Sequence, residues 1–409
     1  MPSFPQFLAT ASGREKRALL ASMLGWMLDG MDVTLYAMVM GALMRSLGLS
    51  PGQAGMLASV TLVASAVGGM LFGVLADRLG RRTALMASIL VYSVFTAACG
   101  LSRGVTDLAV FRFLLGLGMG GEWATGAALV AETWRPERRA KAMGLMQSGF
   151  AIGYALAALV TALVLPRWGW RAVFFVGIFP ALLTLWIRRG VEESPIWTTQ
   201  RREAARSEVA EVRYSGLSVG PLLLVTMLMN SAALFGWWGL FTWIPSFLAI
   251  PVERGGRGMT LAASSTWIVA MQAGMWLGYV TFGFLSDRLG RKKTYVMYLM
   301  LAALLVPFYE RAGVVSLLFL GPVMAFFGTG HFTGFGIITA ELFPTRIRGS
   351  AMGLTYNFGR VFSAGAPWLL GLMAERGGLQ SSFWVCGVAY LLAALLALAV
   401  PETRGRTLP

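Results

Sequence analysis

The chain alternates long apolar runs with short charged loops. Twelve runs stand out, at residues 18–44, 53–76, 83–102, 106–131, 140–165, 170–188, 219–249, 261–286, 294–310, 314–338, 350–373 and 381–400. A bilayer-spanning helix needs about 20 apolar residues, so each run predicts one crossing. The first and seventh are the longest and predict tilted helices or helices that pass beyond the bilayer. In lipid only helices or closed barrels satisfy every backbone N–H and C=O. Strand-like alternation at about ten-residue spacing is absent, which leaves helices.

Composition agrees with this pattern. Of 409 residues, 56% are hydrophobic and 13% charged, and the mean hydropathy is +0.67. A soluble chain carries about 25% charged residues, so a soluble enzyme is disfavoured and disorder is excluded. Twelve spans use almost the whole length and leave little for a separate soluble domain. The first run carries two aspartates and lacks a small-residue cleavage site, so it reads as a span and not a signal peptide. Cys99 and Cys386 lie in opposite halves, each inside an apolar run, and predict neither a disulfide framework nor a metal site. The single histidine, His331, argues against zinc.

The formal charge of +15 would suggest nucleic acid in a soluble protein. Here its placement gives the better explanation, and no nucleic-acid partner is expected. With both termini inside, twenty-four lysines and arginines fall in inner segments and eight in outer loops. Cytoplasmic loops carry such an excess, so the expected orientation is termini-in. The 188–218 stretch is the one long polar segment and predicts a cytosolic amphipathic helix or a solvated linker of interspersed charges.

The sequence also repeats itself. G-V-L-A-D-R-L-G-R-R (Gly73 to Arg82) after the second run matches G-F-L-S-D-R-L-G-R-K (Gly283 to Lys292) after the eighth, at an offset of 210. A-E-T-W-R-P-E-R-R-A-K-A-M-G-L (Ala131 to Leu145) matches A-E-L-F-P-T-R-I-R-G-S-A-M-G-L (Ala340 to Leu354), at an offset of 209. Two matches at nearly one offset predict two parallel six-helix halves, 1–187 and 219–409, joined by the 188–218 linker. Repeats of this kind place the substrate near the midplane between the halves, which rock against each other. Asp77 and Asp287 stand at inner helix ends beside Arg81 and Arg291, and predict latches that break on opening. Glu132 and Glu341, beside Arg138, Arg139, Arg346 and Arg348, are expected to do the same.

These motifs resemble the major facilitator superfamily over the entire chain. The D-R-L-G-R-R loop and the Arg112-x-x-x-Gly116-x-Gly118 pattern are the most specific. E-S-P-x-W (Glu193 to Trp197) and P-E-T-R-G-R-T-L (Pro401 to Leu408) are similar to runs in several branches, sugar porters included. The resemblance implies an all-α membrane protein of twelve helices in two pseudo-symmetric halves, with cytoplasmic termini, in the bacterial inner membrane. It implies a secondary transporter, usually monomeric. G-W-M-L-D-G-M-D (Gly25 to Asp32), G-M-G-G-E-W (Gly118 to Trp123) and Y-N-F-G-R (Tyr356 to Arg360) resemble the organic-acid proton symporters, nearest the sialate and lactate branch, with the aromatic-acid branch next. The seventh run, N-S-A-A-L-F-G-W-W-G-L-F, lacks both the polar motif of fungal lactate permeases and the glutamines of sugar porters.

Ionisable groups inside spans are costly, so each is a functional candidate. Asp29 and Asp32 share a helix face, at depths of about 16 and 21 Å from the inner surface. Two carboxylates this close in a low dielectric do not both ionise easily, which suits a proton carrier. A structural role at Gly30 is the plainer alternative. Arg112 lies level with Asp32, and the resemblance makes their helices neighbours, so an Arg112–Asp32 pair is expected, with Arg112 assigned to coupling. Glu122 overlays His331 at the 209 offset, and the two are weighed as a relay across the cavity against separate buried roles. Arg360 sits about 15 Å deep with no acid near it in sequence. Its planar fork matches a carboxylate, so it is the expected substrate ligand. Tyr356, Asn357, Asn230, Gln147 and Trp238 are the further candidates, with Trp237, Trp243 and Trp123 as possible lining.

No phosphate-binding loop, G-x-S-x-G or metal cluster is present, so the chain reads as a transporter without cofactor and not as an enzyme. The expected activity is proton-coupled uptake of a small organic anion, a monocarboxylate such as lactate or a sialate-type acid. The rivals are an aromatic-acid or sugar porter, a drug–proton antiporter, and a nutrient sensor. A sensor requires a cytosolic domain larger than 188–218.

Overall fold

A computed structural model describes residues 11–134, 136–194, 198, 219–343 and 345–404. Most of the expected linker helix, Trp197, and residues 405–408 of the final motif lie outside the described residues. So do the side chains of Asp77, Arg138, Arg139, Arg346 and Arg348.

The first half runs α1 (Gly13–Leu47), α2 (Pro51–Leu79), α3 (Arg81–Cys99) and α4 (Val105–Thr133), then a continuous helical stretch Pro136–Val176 and a short helix Ala181–Gly190. Gly169, at φ 74° and ψ 177°, breaks the long stretch. We call the part before it α5, and the part after it, through Gly190, α6. The second half runs α7 (Val219–Ala249), α8 (Leu261–Leu289), α9 (Arg291–Arg311), α10 (Val314–Leu342), α11 in two pieces (Thr345–Ser363 and Gly365–Gly377), and α12 (Trp384–Leu398).

Among the described residues, nine stretches are by themselves long and apolar enough to cross a bilayer. The twelve expected crossings exceed this count for two physical reasons. Lys141–Ile187 is one stretch of 47 residues, about 70 Å of helix at 1.5 Å per residue, against a core of about 30 Å. It therefore holds two crossings. Helices α9 and α11 fall short individually: charge sits at both ends of α9, and α11 is interrupted at Ala364.

Local sequence sets the helix ends. Ser12 with Glu15, and Ser50 with Gln53, form capping boxes that satisfy orphan N–H groups at the starts of α1 and α2. Between α2 and α3 stands Gly80 (φ 101°, ψ 154°), and between α8 and α9 stands Gly290 (φ 105°, ψ 151°). Both corners use the left-handed region that favours glycine. The repeated motif is thus a repeated corner.

Small residues let the backbones close up. Gly116 and Gly120 of α4 lie against the carbonyls of Thr61 and Ser65 on α2. Gly274 and Gly278 of α8 meet Pro322 and Phe326 of α10 in the same way. In a membrane such contacts supply the packing that water exclusion cannot. Between the halves, α2 runs along α11 and α5 along α8. The core of each half faces this seam, while Leu71, Leu163, Phe308 and Phe319 are more than half exposed on the outside, as a lipid-facing surface requires.

Candidate substrate and proton site

Among the described residues, five charged side chains are no more than 2% exposed inside the bundle: Asp29, Asp32, Arg112, Glu122 and Arg360. Two small cavities lie between the halves. The first is lined by Trp26, Asp29, Met119, Gln147 and Phe150 from one half, and Trp237, Trp238, Tyr279, Phe332, Tyr356 and Arg360 from the other. Gln147 and Tyr356 are separated by the repeat's own offset of 209, so the two halves contribute matching positions. The second cavity is lined by Thr34, Tyr36, Ala37, Arg112, Tyr154 and Thr242 among others, and shares Trp237 and Trp238 with the first.

Arg360 faces the first cavity with its Nε unbonded. Its guanidinium lies 5.0 Å from the ring centre of Tyr356, which stacks on Trp123 at 4.3 Å across the seam. Asp29 and Glu122 are within electrostatic reach of Arg360. Neither forms an ion pair with it among the described residues. Asp29 Oδ2, both oxygens of Asp32, both of Glu122 and Gln147 Oε1 have no hydrogen-bond partner. This concentration of unmet buried acceptors is unusual, because native proteins satisfy nearly all such groups.

Several sequence expectations are corrected by the geometry. Arg112 does not pair with Asp32. Its Nε donates to the Leu57 carbonyl at 2.9 Å, its guanidinium sits 3.7 Å over the Tyr36 ring, and Thr96 faces Asp32 instead. Level depth did not give a shared direction, because Arg112 turns towards α2. His331 does not face Glu122. It stacks on Phe332 at 4.6 Å and meets Tyr295 and Tyr390 edge-on, inside the second half. Glu122 lies beside Gly25 and Tyr92 inside the first. Equivalent places in two halves point into their own halves. Asn230 and Asn357 do not line the cavity. Asn230 donates to the Thr355 carbonyl at 3.1 Å, tying α7 to α11. Asn357 donates to Gly353 at 3.0 Å and packs against Gly69 of α2. Of the tryptophans, Trp243 donates to Pro367 at 3.0 Å and serves packing.

The residues expected as latches gain further partners. Glu132 pairs with Arg81 (Nη2–Oε1 3.0 Å). Glu341 pairs with Arg291 at 3.4 Å, and Arg291 also holds Asp287 at 2.5 Å. Glu193 accepts from the backbone N–H of Arg81 at 2.8 Å and of Arg82 at 3.1 Å, and the Ser194 hydroxyl donates to Glu132. In the second half Glu402 accepts from the Arg291 N–H at 2.8 Å, and the Thr403 hydroxyl donates to Glu341 at 2.5 Å. Among the described residues, the contacts of each cluster join helices of its own half. Glu193-Ser194 and Glu402-Thr403 were missed as a pair in the sequence, although their 209-residue separation is the repeat's own signal.

Fold and site together agree with the comparisons to known proteins. The family model of the Major Facilitator Superfamily matches residues 22–264 and 248–408. The chain belongs to the major facilitator superfamily, and is a multi-pass membrane transporter and not an enzyme. It is 34% identical to a probable 4-methylmuconolactone transporter of Cupriavidus pinatubonensis, over 96% of this chain and 92% of the relative. It is 30% identical to the sialic acid transporter NanX of Escherichia coli, over 94% of each. The inward-open xylose transporter XylE from E. coli shares the fold, with a TM-score of 0.75 and 22% identity over 95% of this chain and 97% of that one. Further relatives are named as a cis,cis-muconate transport protein of Acinetobacter baylyi and a gentisate transporter of Corynebacterium glutamicum.

Proposed function

We propose that the protein takes up a small organic anion together with protons, by alternating access, in the bacterial inner membrane. The observation that carries this reading is Arg360: a buried guanidinium on the seam, lining a cavity, with no carboxylate paired to it among the described residues. A planar fork of donors suits a carboxylate better than a sugar hydroxyl or a cationic drug. Gln147 and Tyr356 supply further polar contact from the cavity wall. Relatives named for sialic acid and 4-methylmuconolactone support the same class of cargo.

Asp29, Asp32 and Glu122 are the proton carriers in this reading. An unpaired carboxylate in an apolar interior is held most cheaply as the neutral acid, so loading and release of protons accompany opening to either side. Substrate carboxylate then compensates Arg360 in the loaded state. The Arg81–Glu132 and Arg291–Glu341 braces keep each half stiff while the halves rock.

The lining also favours a narrower second reading. Trp26, Phe150, Trp237, Trp238, Tyr279, Phe332 and Tyr356 surround Arg360 with aromatic rings, which suits an aromatic or unsaturated acid more than lactate. The test uses purified protein in liposomes with a pH-sensitive dye inside. Lactate, pyruvate, sialate, 4-hydroxybenzoate and glucose are added in turn, with wild type and Arg360→Ala in parallel. Acidification with one acid, absent in the arginine variant, is the expected result. No acidification with any acid overturns symport.

A further inference from the structure

We propose that Arg112 forms a second carboxylate subsite, which an anion occupies on its way between the outer face and Arg360. The proposal rests on the organic-anion reading above and gives Arg112, which does not pair with Asp32, a role in binding the anion. Arg112 is 2% exposed and lines the second cavity. Its Nε is used by Leu57 and its face by Tyr36, but Nη1 has no hydrogen-bond partner. No ion pair to it forms among the described residues. The Tyr36 hydroxyl donates to Ala54 at 2.7 Å, and that of Thr34 to Gly30 at 2.6 Å. What remains is a fixed cation with one open donor, facing a wall of Val33, Ala37, Leu62 and Phe241. A buried donor left unmet is destabilising, so such a site needs an acceptor. An anionic oxygen is the acceptor that also compensates the charge.

Position makes this subsite an outer partner of the first. The cavity reaches Ala37 on α1, eight residues beyond Asp29, or about 12 Å further along the helix. On α7 it reaches Thr242, beyond Trp238. Both shifts lead away from the face that carries the chain ends. Trp237 and Trp238 line both cavities and stand between the two arginines. Trp237 is anchored by its bond to Thr329 at 3.2 Å and stacks on Phe241. Trp238 meets it edge-on at 4.7 Å. Two cationic stations spare the anion a bare apolar crossing between water and Arg360. Each cavity now has a volume of only 20 Å³, room for about one water. Occupation therefore requires the rings to part.

The test measures binding and uptake separately. Wild type, Arg360→Gln, Arg112→Gln, Arg112→Lys and the double glutamine variant are placed in nanodiscs and titrated with sialate, benzoate and lactate, with benzamide as the uncharged control. Tryptophan fluorescence reports binding, since the two indoles line both cavities. Two subsites predict that Arg360→Gln keeps a weaker acid-specific binding, which the double variant loses. They also predict that Arg112→Gln raises the KM for uptake by roughly tenfold with little change in kcat, and that Arg112→Lys recovers part of it. If Arg360→Gln alone removes all acid binding, the second subsite is wrong and the first stands. A fall in kcat at constant KM in both Arg112 variants also overturns it, in favour of a coupling or structural role. If Arg112→Gln does not fold, the lysine variant still reports the KM. Wild type that binds none of the acids overturns the organic-anion reading and this proposal with it.

Discussion

Asp29 of α1 and Arg360 of α11 line one cavity from opposite halves of the molecule, yet no ion pair joins them. A direct pair would already compensate the arginine's charge and weaken its hold on an anionic substrate. In the proposed reading, separation leaves Arg360 for the anion and Asp29 for the proton. Arg360→Lys should lower substrate affinity about tenfold or more, because an ammonium cannot match both carboxylate oxygens. Asp29→Asn should keep acid binding and counterflow exchange while losing pH-driven accumulation. Counterflow and pH-jump uptake on the same proteoliposomes check both; loss of counterflow in Asp29→Asn counts against the division of roles.

Glu193 and Glu402 cap helices to which they do not belong. Gly80 and Gly290 precede α3 and α9 and have no side chain to cap with. The carboxylates arrive from segments after α6 and α12. Losing such a cap costs about 1 kcal/mol, so Glu193→Gln and Glu402→Gln should each lower the melting temperature in detergent. Gly290→Ala should cost more, since a Cβ there lies 2.6 Å from Glu402 Oε2 and the backbone is left-handed.

The same contacts set a pH dependence. Burial opposes the charge on Glu402, but backbone N–H groups of Arg404, Arg291, Thr403 and Lys292 outweigh it and hold its carboxyl below the usual carboxylate range. A lowered folded value means stabilisation that is full above the unfolded value of about 4.3 and lost as pH falls through the folded one. Acid melts of wild type should therefore steepen below pH ~4.3, and Glu402→Gln should flatten that limb.

On the opposite face, Glu375 of α11 accepts from the Gly52 N–H of α2 at 2.8 Å. This joins the halves at the N-terminus of a helix, where a negative charge is favoured. The Ser50 hydroxyl and the Gly52 N–H hold the Glu375 carboxyl below its ordinary value. It stays ionised at working pH, and the contact weakens only as pH falls through that lowered value. Glu375→Gln should loosen this closure at neutral pH. A cysteine placed at Ala37 should then react faster with a membrane-impermeant maleimide; an unchanged rate removes Glu375 from the gate.

Close packing of α2 on α4 leaves no room at Gly120, where a Cβ would overlap the Ser65 carbonyl. Gly120→Ala should destabilise by about 1–3 kcal/mol, read as a lower melting temperature. Asn230→Ala should likewise affect stability and leave the KM of uptake unchanged, since Asn230 bonds the Thr355 carbonyl and not the cavity.

The repeat, the apolar runs and the buried charges determined the architecture and named Asp29, Arg360, Gln147, Tyr356 and Trp238 in advance. Those signals are one-dimensional. Hydropathy fixes which segments enter lipid, and a shared offset fixes which positions match. Direction around a helix axis is not encoded in depth or offset. Arg112 and Asp32 share a depth but turn apart, and Glu122 and His331 share a register but face into separate halves. Asn230 and Asn357 turned to neighbouring helices because a buried amide seeks the nearest carbonyl. Tertiary structure alone decided these matters. Each side chain's partner depends on how closely two backbones approach, and that follows from glycines and ring contacts between helices far apart in the chain.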